Sequence, residues 1–328
     1  MKRRNVLAAL AASLWLATGS AMGQTSESAR SFPSKPVRVV VPFSAGGGAD
    51  MIARLLSERL STIWKQPVIV DNRPGASGSI GARQVGDSPP DGYTLLFTNN
   101  GILQNAILLP KLPVDPFRDF MPISKIVDGP MAWAIGGEAP ASTMAQYVST
   151  ARSQPGRLSY ASYGLGTTAH IYGELLKSVA QLDLTHVPYR GEAAIVSDVI
   201  NGTVNGAFLT PVTAASSAKA GRLKVLAVAG TVRSTVLPSV PTFQELGMQG
   251  FELVGWFGLF APSGTPKTLL ERISLDVNHV LTDPEVVRRV NVAGMAVAGN
   301  TPDQFASVMR NDFEKWGELI KQLGIKAE

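Results

Sequence analysis

The 328-residue chain has no cysteine, which excludes disulfides and thiolate metal sites. Stability must then come from a hydrophobic core, which a chain of this length can build. There are only three histidines, His170, His186 and His279, far apart in sequence and none in an H-E-x-x-H pattern, so no metal site is expected. No Gly-Lys-Ser or Gly-Lys-Thr occurs, which excludes a P-loop. In Gly46-Gly47-Gly48-Ala49-Asp50-Met51, a methionine stands where a dinucleotide fingerprint needs its third glycine. Gly75-Ala76-Ser77-Gly78-Ser79 misses a nucleophile elbow by one position. No pair of carboxylates has a spacing that marks a general acid and base. Past the first residues, no apolar run approaches the roughly 20 residues of a membrane span. These absences argue against an enzyme and against a cofactor; what remains is recognition.

The amino terminus reads as a secretory signal over residues 1–23. Lys2, Arg3 and Arg4 form a basic head, Val6 to Ala17 a short apolar run, and Ala21-Met22-Gly23 precede a cleavage ahead of Gln24. Without cysteine there is no residue to carry a lipid anchor. Removing the segment takes away three positive charges and lowers the formal charge from +5 to +2. The argument for a nucleic-acid partner goes with it. The remaining length, near 300 residues, suggests two domains.

The mature chain alternates strand and helix patterns. Val37–Pro42 is a continuous apolar strand of the kind buried in a parallel sheet. Ala49–Lys65 follows as a helix with Ile52, Leu55, Leu56, Leu60, Ile63 and Trp64 on one face. Strands at Pro67–Val70 and Tyr93–Thr98 flank a helix at Ser79–Gly86. Extended segments at Ile123–Val127 and Met131–Ile135 open a second set. That set has helices at Thr143–Ser153, His170–Ala180 and Ala193–Asn201 and strands at Leu158–Ser162, Leu184–Pro188 and Ala207–Leu209. Leu223–Ala229 is expected to return the chain to the first set. An extended Phe251–Ala261 follows, then helices over Pro266–Leu281, Pro284–Val290 and Pro302–Leu323. The alternation implies right-handed βαβ units around parallel sheets. No linker separates the sets, which favours two lobes joined by crossing strands over two independent beads.

Four loops fall at the carboxyl ends of these strands: Phe43–Asp50, Asn72–Gly78, Ser162–Thr168 and Tyr189–Gly191. Ligands of open α/β sheets bind at that end. The three glycines 46–48 leave backbone N–H groups unobstructed at a helix start, where a carboxylate or phosphate is favoured; a tight turn with no ligand is the plainer alternative. Asp50, in the first helical turn, suits the helix dipole and is read as bracing the loop, with a ligand ammonium as its other partner. His170, directly after the third loop, either lines the cleft or braces that loop. His186, inside an apolar strand, and His279, on a late helix, read as packed residues.

The residues also form a pattern that resembles the Bug-type solute-binding receptors of the tripartite tricarboxylate transporters. The resemblance is carried by Phe32-Pro33-Ser34-Lys35-Pro36-Val37-Arg38, Pro42-Phe43 with Gly46-Gly47 and Asp50, Asn72-Arg73-Pro74-Gly75-Ala76 with Gly78, and Pro90-Asp91-Gly92-Tyr93-Thr94-Leu95. It continues through Ser162, Gly164, Gly166, Thr167 and His170, then His186-Val187-Pro188-Tyr189 with Gly191. Gly221-Arg222-Leu223, Pro241-Thr242 with Glu245, Trp256, Ala261-Pro262 and Gly264-Thr265-Pro266 complete it. It implies a two-lobed periplasmic binding protein of Venus-flytrap, type II-like architecture, each lobe a mainly parallel sheet flanked by helices. Lobe one is expected over residues 24–127 plus 227–328 and lobe two over 128–226, with crossover strands near 123–135 and 223–230.

By the same resemblance the ligand is a small carboxylate: a di- or tricarboxylate, an aromatic acid or an acidic amino acid. Ordered waters would bridge it to the first lobe. Phe43, Ser44, Ala45, Gly46, Gly47, Asp50, Gly75, Ala76 and Gly78 would serve on the first lobe, and Ser162, Gly166, Thr167, His170 and Tyr189 on the second. Ser44, Gly48 and Tyr163 fall where the family pattern is not fixed. Location in the periplasm, a monomeric state and membrane permease subunits as partners are implied too. An orphan receptor, or one that signals to a membrane sensor, is the alternative.

Overall fold

The computed structural model describes residues 31–109, 113–189 and 191–326; the secretory signal and its cleavage point lie outside the described residues. The strands are β1 (Val37–Val41), β2 (Val68–Asn72), β3 (Thr94–Asn99), β4 (Phe120–Gly129), β5 (Ala132–Gly136), β6 (Leu158–Ser162), β7 (Leu184–Pro188), β8 (Gly206–Leu209), β9 (Leu223–Val228), β10 (Gly255–Pro262) and β11 (Ala296–Val297). They form a six-stranded sheet in the order β11-β4-β10-β3-β1-β2 and a five-stranded sheet in the order β7-β6-β8-β5-β9.

Each sheet is parallel on one side and antiparallel on the other. The parallel pairs are β1 with β2 and β3, and β6 with β7 and β8. β10 runs antiparallel to β3 and β4, and β5 antiparallel to β8 and β9. The parallel halves are those built by βαβ crossovers, so the mainly parallel expectation holds there and not beyond.

β1 shows how sequence sets the layers. Val37, Val39, Val40 and Val41 are all buried, because a parallel central strand is covered on both faces. Helix Gly48–Trp64 lays Ile52, Leu55, Leu56 and Leu60 on one face. Its Ile63, expected on that stripe, is 39% exposed. The Trp64 indole N–H donates to Asp276 Oδ2 at 2.7 Å, tying this helix to helix Lys267–Leu281. The opposite face of β1 and β3 packs Val40 and Leu96 with Phe260 and Phe305.

The second core gathers Trp133, Tyr160, Tyr172, Phe208, Phe243, Phe251 and Trp316. β9 does not return the chain to the first sheet: Leu223–Val228 pairs with β5 as the edge of the second. The return comes later, after Phe251, which is stacked on Phe243 at 4.0 Å. The strand expected from Phe251 accordingly begins at Gly255. The last helix, Pro302–Gln322, serves both cores: Phe305 and Met309 pack under the first sheet, Trp316 and Ile320 into the second core.

Candidate functional site

The four strand-end loops lie in two adjacent pairs. β1 and β2 run parallel with Val41 opposite Asn72, so their loops emerge side by side; β6 and β7 do the same with Ser162 opposite Pro188.

The first loop is held by one carboxylate. Gly46, at φ +86°, donates its N–H to Asp50 Oδ2 at 3.0 Å, and Arg54 Nε donates to the same oxygen at 2.9 Å. Arg54 reaches on to Asn72 Oδ1, and Asn72 donates to the Phe43 carbonyl. Asp50 is buried. Burial works against its charge, but the Arg54 and Gly46 bonds outweigh it and hold the carboxyl below its ordinary range. Asp50 therefore braces the loop, whereas Ser44, Ala45, Gly46, Gly47 and Gly48 lie exposed above it.

The second loop is strained. Gly75, Ala76, Ser77 and Gly78 all have positive φ, at +133°, +45°, +54° and +90°. Left-handed backbone costs about 1–2 kcal/mol at each non-glycine residue. The turn is held by Ser79 Oγ donating to the Ala76 carbonyl and by Asn105 Nδ2 donating to the Ser77 carbonyl.

The third loop repeats the first with a different anchor. Gly166, at φ +73°, donates its N–H to His170 Nδ1 at 3.1 Å. The His170 ring stacks on His186 at 4.3 Å, and His186 Nε2 lies 2.7 Å from Ser162 Oγ. Tyr160 also stacks on His186, at 4.9 Å. Burial lowers both imidazoles, His186 to about 4, with His170 adding to the shift. The pair is neutral at pH 7, and His170 braces its loop. Ser162 and Gly166 are buried; Thr167 caps the following helix by accepting from the His170 N–H.

In the fourth loop, the Tyr189 N–H donates to the Ser162 carbonyl and its hydroxyl to Asp198. Beside it, Glu192 accepts from the Tyr163 hydroxyl, the Thr210 N–H and the Thr210 and Thr213 hydroxyls.

Helix Gly101–Leu108, which the sequence pattern did not reveal, joins the two loop pairs. Asn100 Nδ2 and Gln104 Nε2 donate to Thr168 Oγ1 at 3.2 and 3.0 Å, while Asn105 holds the second loop. The signal was present in Asn99-Asn100-Gly101, a fifth polar turn at the carboxyl end of a strand. Among the described residues no hydrogen bond runs directly from loop 43–50 to loop 162–168.

Helix starts differ in their capping. Those at Thr143, Thr167, Asp283 and Thr301 are capped by their own side chains, whereas those at Asn100, Thr210 and Pro266 are not. Those following the first, second and fourth loops start at Gly47, Gly78 and Gly191 with no side-chain cap. A helix start without a cap presents unpaired N–H groups and the positive end of the dipole, which attract anions.

Residues 52–325 match the family described as "Tripartite tricarboxylate transporter family receptor". The chain belongs to this family. It is a solute-binding receptor, not an enzyme. Among curated proteins, the "UPF0065 protein in tcbD-tcbE intergenic region" of Pseudomonas sp. (strain P51) is 36% identical over 99% of this chain and 96% of its own. Among solved structures, Rpa4515 of R. palustris with adipate is 32% identical with a TM-score of 0.84, covering 90% of this chain and 99% of its own. MatC from Rhodopseudomonas palustris with bound malate is 29% identical with a TM-score of 0.79, covering 88% and 100%. The receptor thus has the two-lobed periplasmic binding protein fold.

Proposed function

We propose that this receptor captures a small organic carboxylate in the cleft between its lobes, in the periplasm, and delivers it to the permease of a tripartite transporter. The first lobe is built on the sheet of β1–β4, β10 and β11 and the second on the sheet of β5–β9, so the chain returns to the first lobe after Phe251, with the last helix packed on both. The carboxylate sits between the exposed backbone of Phe43–Gly47, the turn at Gly75, Ala76 and Gly78, and the second-lobe loop of Ser162, Gly166 and Thr167. Asp50, His170 and Tyr189 hold these loops in shape.

One observation carries the reading: the side chains able to bind a ligand strongly are committed to their own loops, while glycine helix starts remain uncapped. N–H groups can satisfy a carboxylate without burying an opposing charge, which is costly unless well paired. The adipate and malate bound to the two relatives support the ligand class. The lobes close because the ligand gains contacts in the closed state.

Thermal unfolding and calorimetry on protein stripped of co-purified ligand test the reading. A panel of di- and tricarboxylates, aromatic acids and acidic amino acids is expected to contain at least one stabilising ligand. At a hundredfold excess over Kd that ligand adds about 2.7 kcal/mol. No response across the panel contradicts the carboxylate reading.

A further inference from the structure

The turn that carries Gly166 and Thr167 is closed mostly on itself. The Gly164 carbonyl accepts from the Thr167 N–H and hydroxyl, and the Gly164 N–H donates to Ser162 Oγ. Outside the turn, two imidazoles hold it: the Gly166 N–H donates to His170 Nδ1, and His186 Nε2 meets the Ser162 hydroxyl. Gly166 is buried, so solvent is not at hand to replace His170 as the acceptor of its N–H.

A ring nitrogen that accepts carries no proton, so the Gly166 bond fixes His170 as a neutral ring with its proton on Nε2. A second proton goes to Nδ1, where it faces the Gly166 N–H donor to donor. Three features keep that proton off at neutral pH. His170 lies in the first turn of helix Thr168–Ala180, at the positive end of the dipole. Its ring is buried in a stack with His186, which stacks in turn on Tyr160. The titratable groups around it are Tyr160 on β6, His186 on β7, and Glu174 and Lys177 on its own helix. Glu174 already accepts from the Tyr160 hydroxyl and from Lys177, at 2.7 and 2.9 Å, which makes it a poor counter-ion for an imidazolium. Charge on His170 repels charge on His186, so the pair takes up one proton well before two.

We propose that His170 is a proton-operated catch on the second lobe: a proton from water on its Nδ1 releases the Gly166 N–H, the Gly164–Thr167 turn loses its fixed shape, and the bound acid leaves. The inference rests on the carboxylate reading above and adds a control over it. His170 acts here as a positioning residue, touching the turn that touches the ligand. The first lobe answers acid differently. Asp50 Oδ2 holds the Gly46 N–H as an anion, and the Arg54 and Gly46 bonds keep it charged to lower pH. Moderate acid thus loosens one side of the cleft and leaves the other set.

Two measurements on the full mature protein test this. Without ligand, nitrogen-15 spectra of the histidine rings and hydrogen exchange of the Gly166 amide are followed from about pH 7.5 to 4.5. At the upper end His170 should show a bare Nδ1 and Gly166 a protected amide. As His170 titrates, that protection, corrected for the intrinsic rate, should fall about tenfold or more while the amides of β6 keep theirs. Calorimetry with succinate, citrate, benzoate and glutamate then gives each protein's affinity at pH 4.5 relative to its own at pH 7.5. Comparing the wild type with His170→Asn cancels the titration of the acid itself, and the asparagine Oδ1 accepts without titrating. The wild-type ratio should lie about tenfold below that of the variant. A Gly166 amide still protected at pH 4.5, or equal ratios, overturns the catch. If thermal unfolding shows that His170→Asn is not folded, the amide measurement on the wild type decides. Wild-type protein that binds no acid at pH 7.5 overturns the carboxylate reading itself, and the catch with it.

Discussion

The loops at Gly46 and Gly166 share one construction and differ in the chemistry that holds it. In both, a glycine with positive φ donates its N–H to the side chain four residues on, in the first turn of the next helix. On the first sheet the acceptor is the Asp50 carboxylate, offset by Arg54, under an exposed loop. On the second it is the His170 imidazole, stacked on His186 beneath a mostly half-buried loop. A buried charge is expensive without a partner. The anchor is thus ionic where Arg54 bonds it directly, and neutral where it stacks on a second imidazole. Loop geometry is the common requirement, and each surrounding dictates its own means.

The largest expected difference is steric. A Cβ on Gly166 would stand 2.7 Å from Leu108, while one on Gly46 meets nothing within 4 Å. Both alanine variants pay the left-handed cost of about 1–2 kcal/mol, and Gly166→Ala adds overpacking of about 1–3 kcal/mol. Chemical denaturation should rank Gly166→Ala well below Gly46→Ala; equal losses would break the comparison.

Acid separates the anchors next. His186 falls from its ordinary 6.5 to about 4 on folding, so the unfolded chain takes up the proton first. Stability should drop by at most about 3 kcal/mol between pH 6.5 and 4 and level off below. His186→Gln should flatten that window in a pH series of melts. Asp50 is shifted the other way in effect: its lowered value stabilises above its ordinary 3.8 and is lost only as pH falls further. Asp50→Asn keeps an acceptor for Gly46 and loses the Arg54 ion pair. Since Arg54 is half exposed, about 1 kcal/mol or less should go above pH 4, and the difference from the wild-type protein should vanish at the lowest pH.

Smallest is the tie between the loop pairs. Thr168→Val removes the hydroxyl that Asn100 and Gln104 share, and should cost about 1 kcal/mol. Small-angle scattering should then report a changed balance of open and closed forms. An unchanged profile would mean that the tie does not bias closure.

Short-range patterns carried most of the fold. Ser79–Gly86, Leu158–Ser162 and Leu184–Pro188 lie at the residues expected, because Gly78, Gly164 and Pro188 punctuate them locally. Helix Gly101–Leu108 escaped because Ile102, Leu103, Ile107 and Leu108 surround it on several sides and mark no single face. They pack against two different cores. Helix Pro211–Lys219 escaped for the opposite reason, with small alanines and serines and little apolar contrast. The edge position of β9 depends on pairing with β5, far away in sequence. In the site, the punctuating glycines were legible. The His170–His186 stack and the acceptor role of Glu192 were not, since both are made by partners that only the folded chain brings together.

The last helix has a consequence for how the molecule is assembled. Tyr172 and Phe208 belong to a core that closes with Trp316 and Ile320, far along the chain from both. Contacts so distant in sequence form slowly, because the intervening loop must be ordered before they reward it. Until that helix docks, the second lobe carries an open aromatic wound, a natural handle for chaperones.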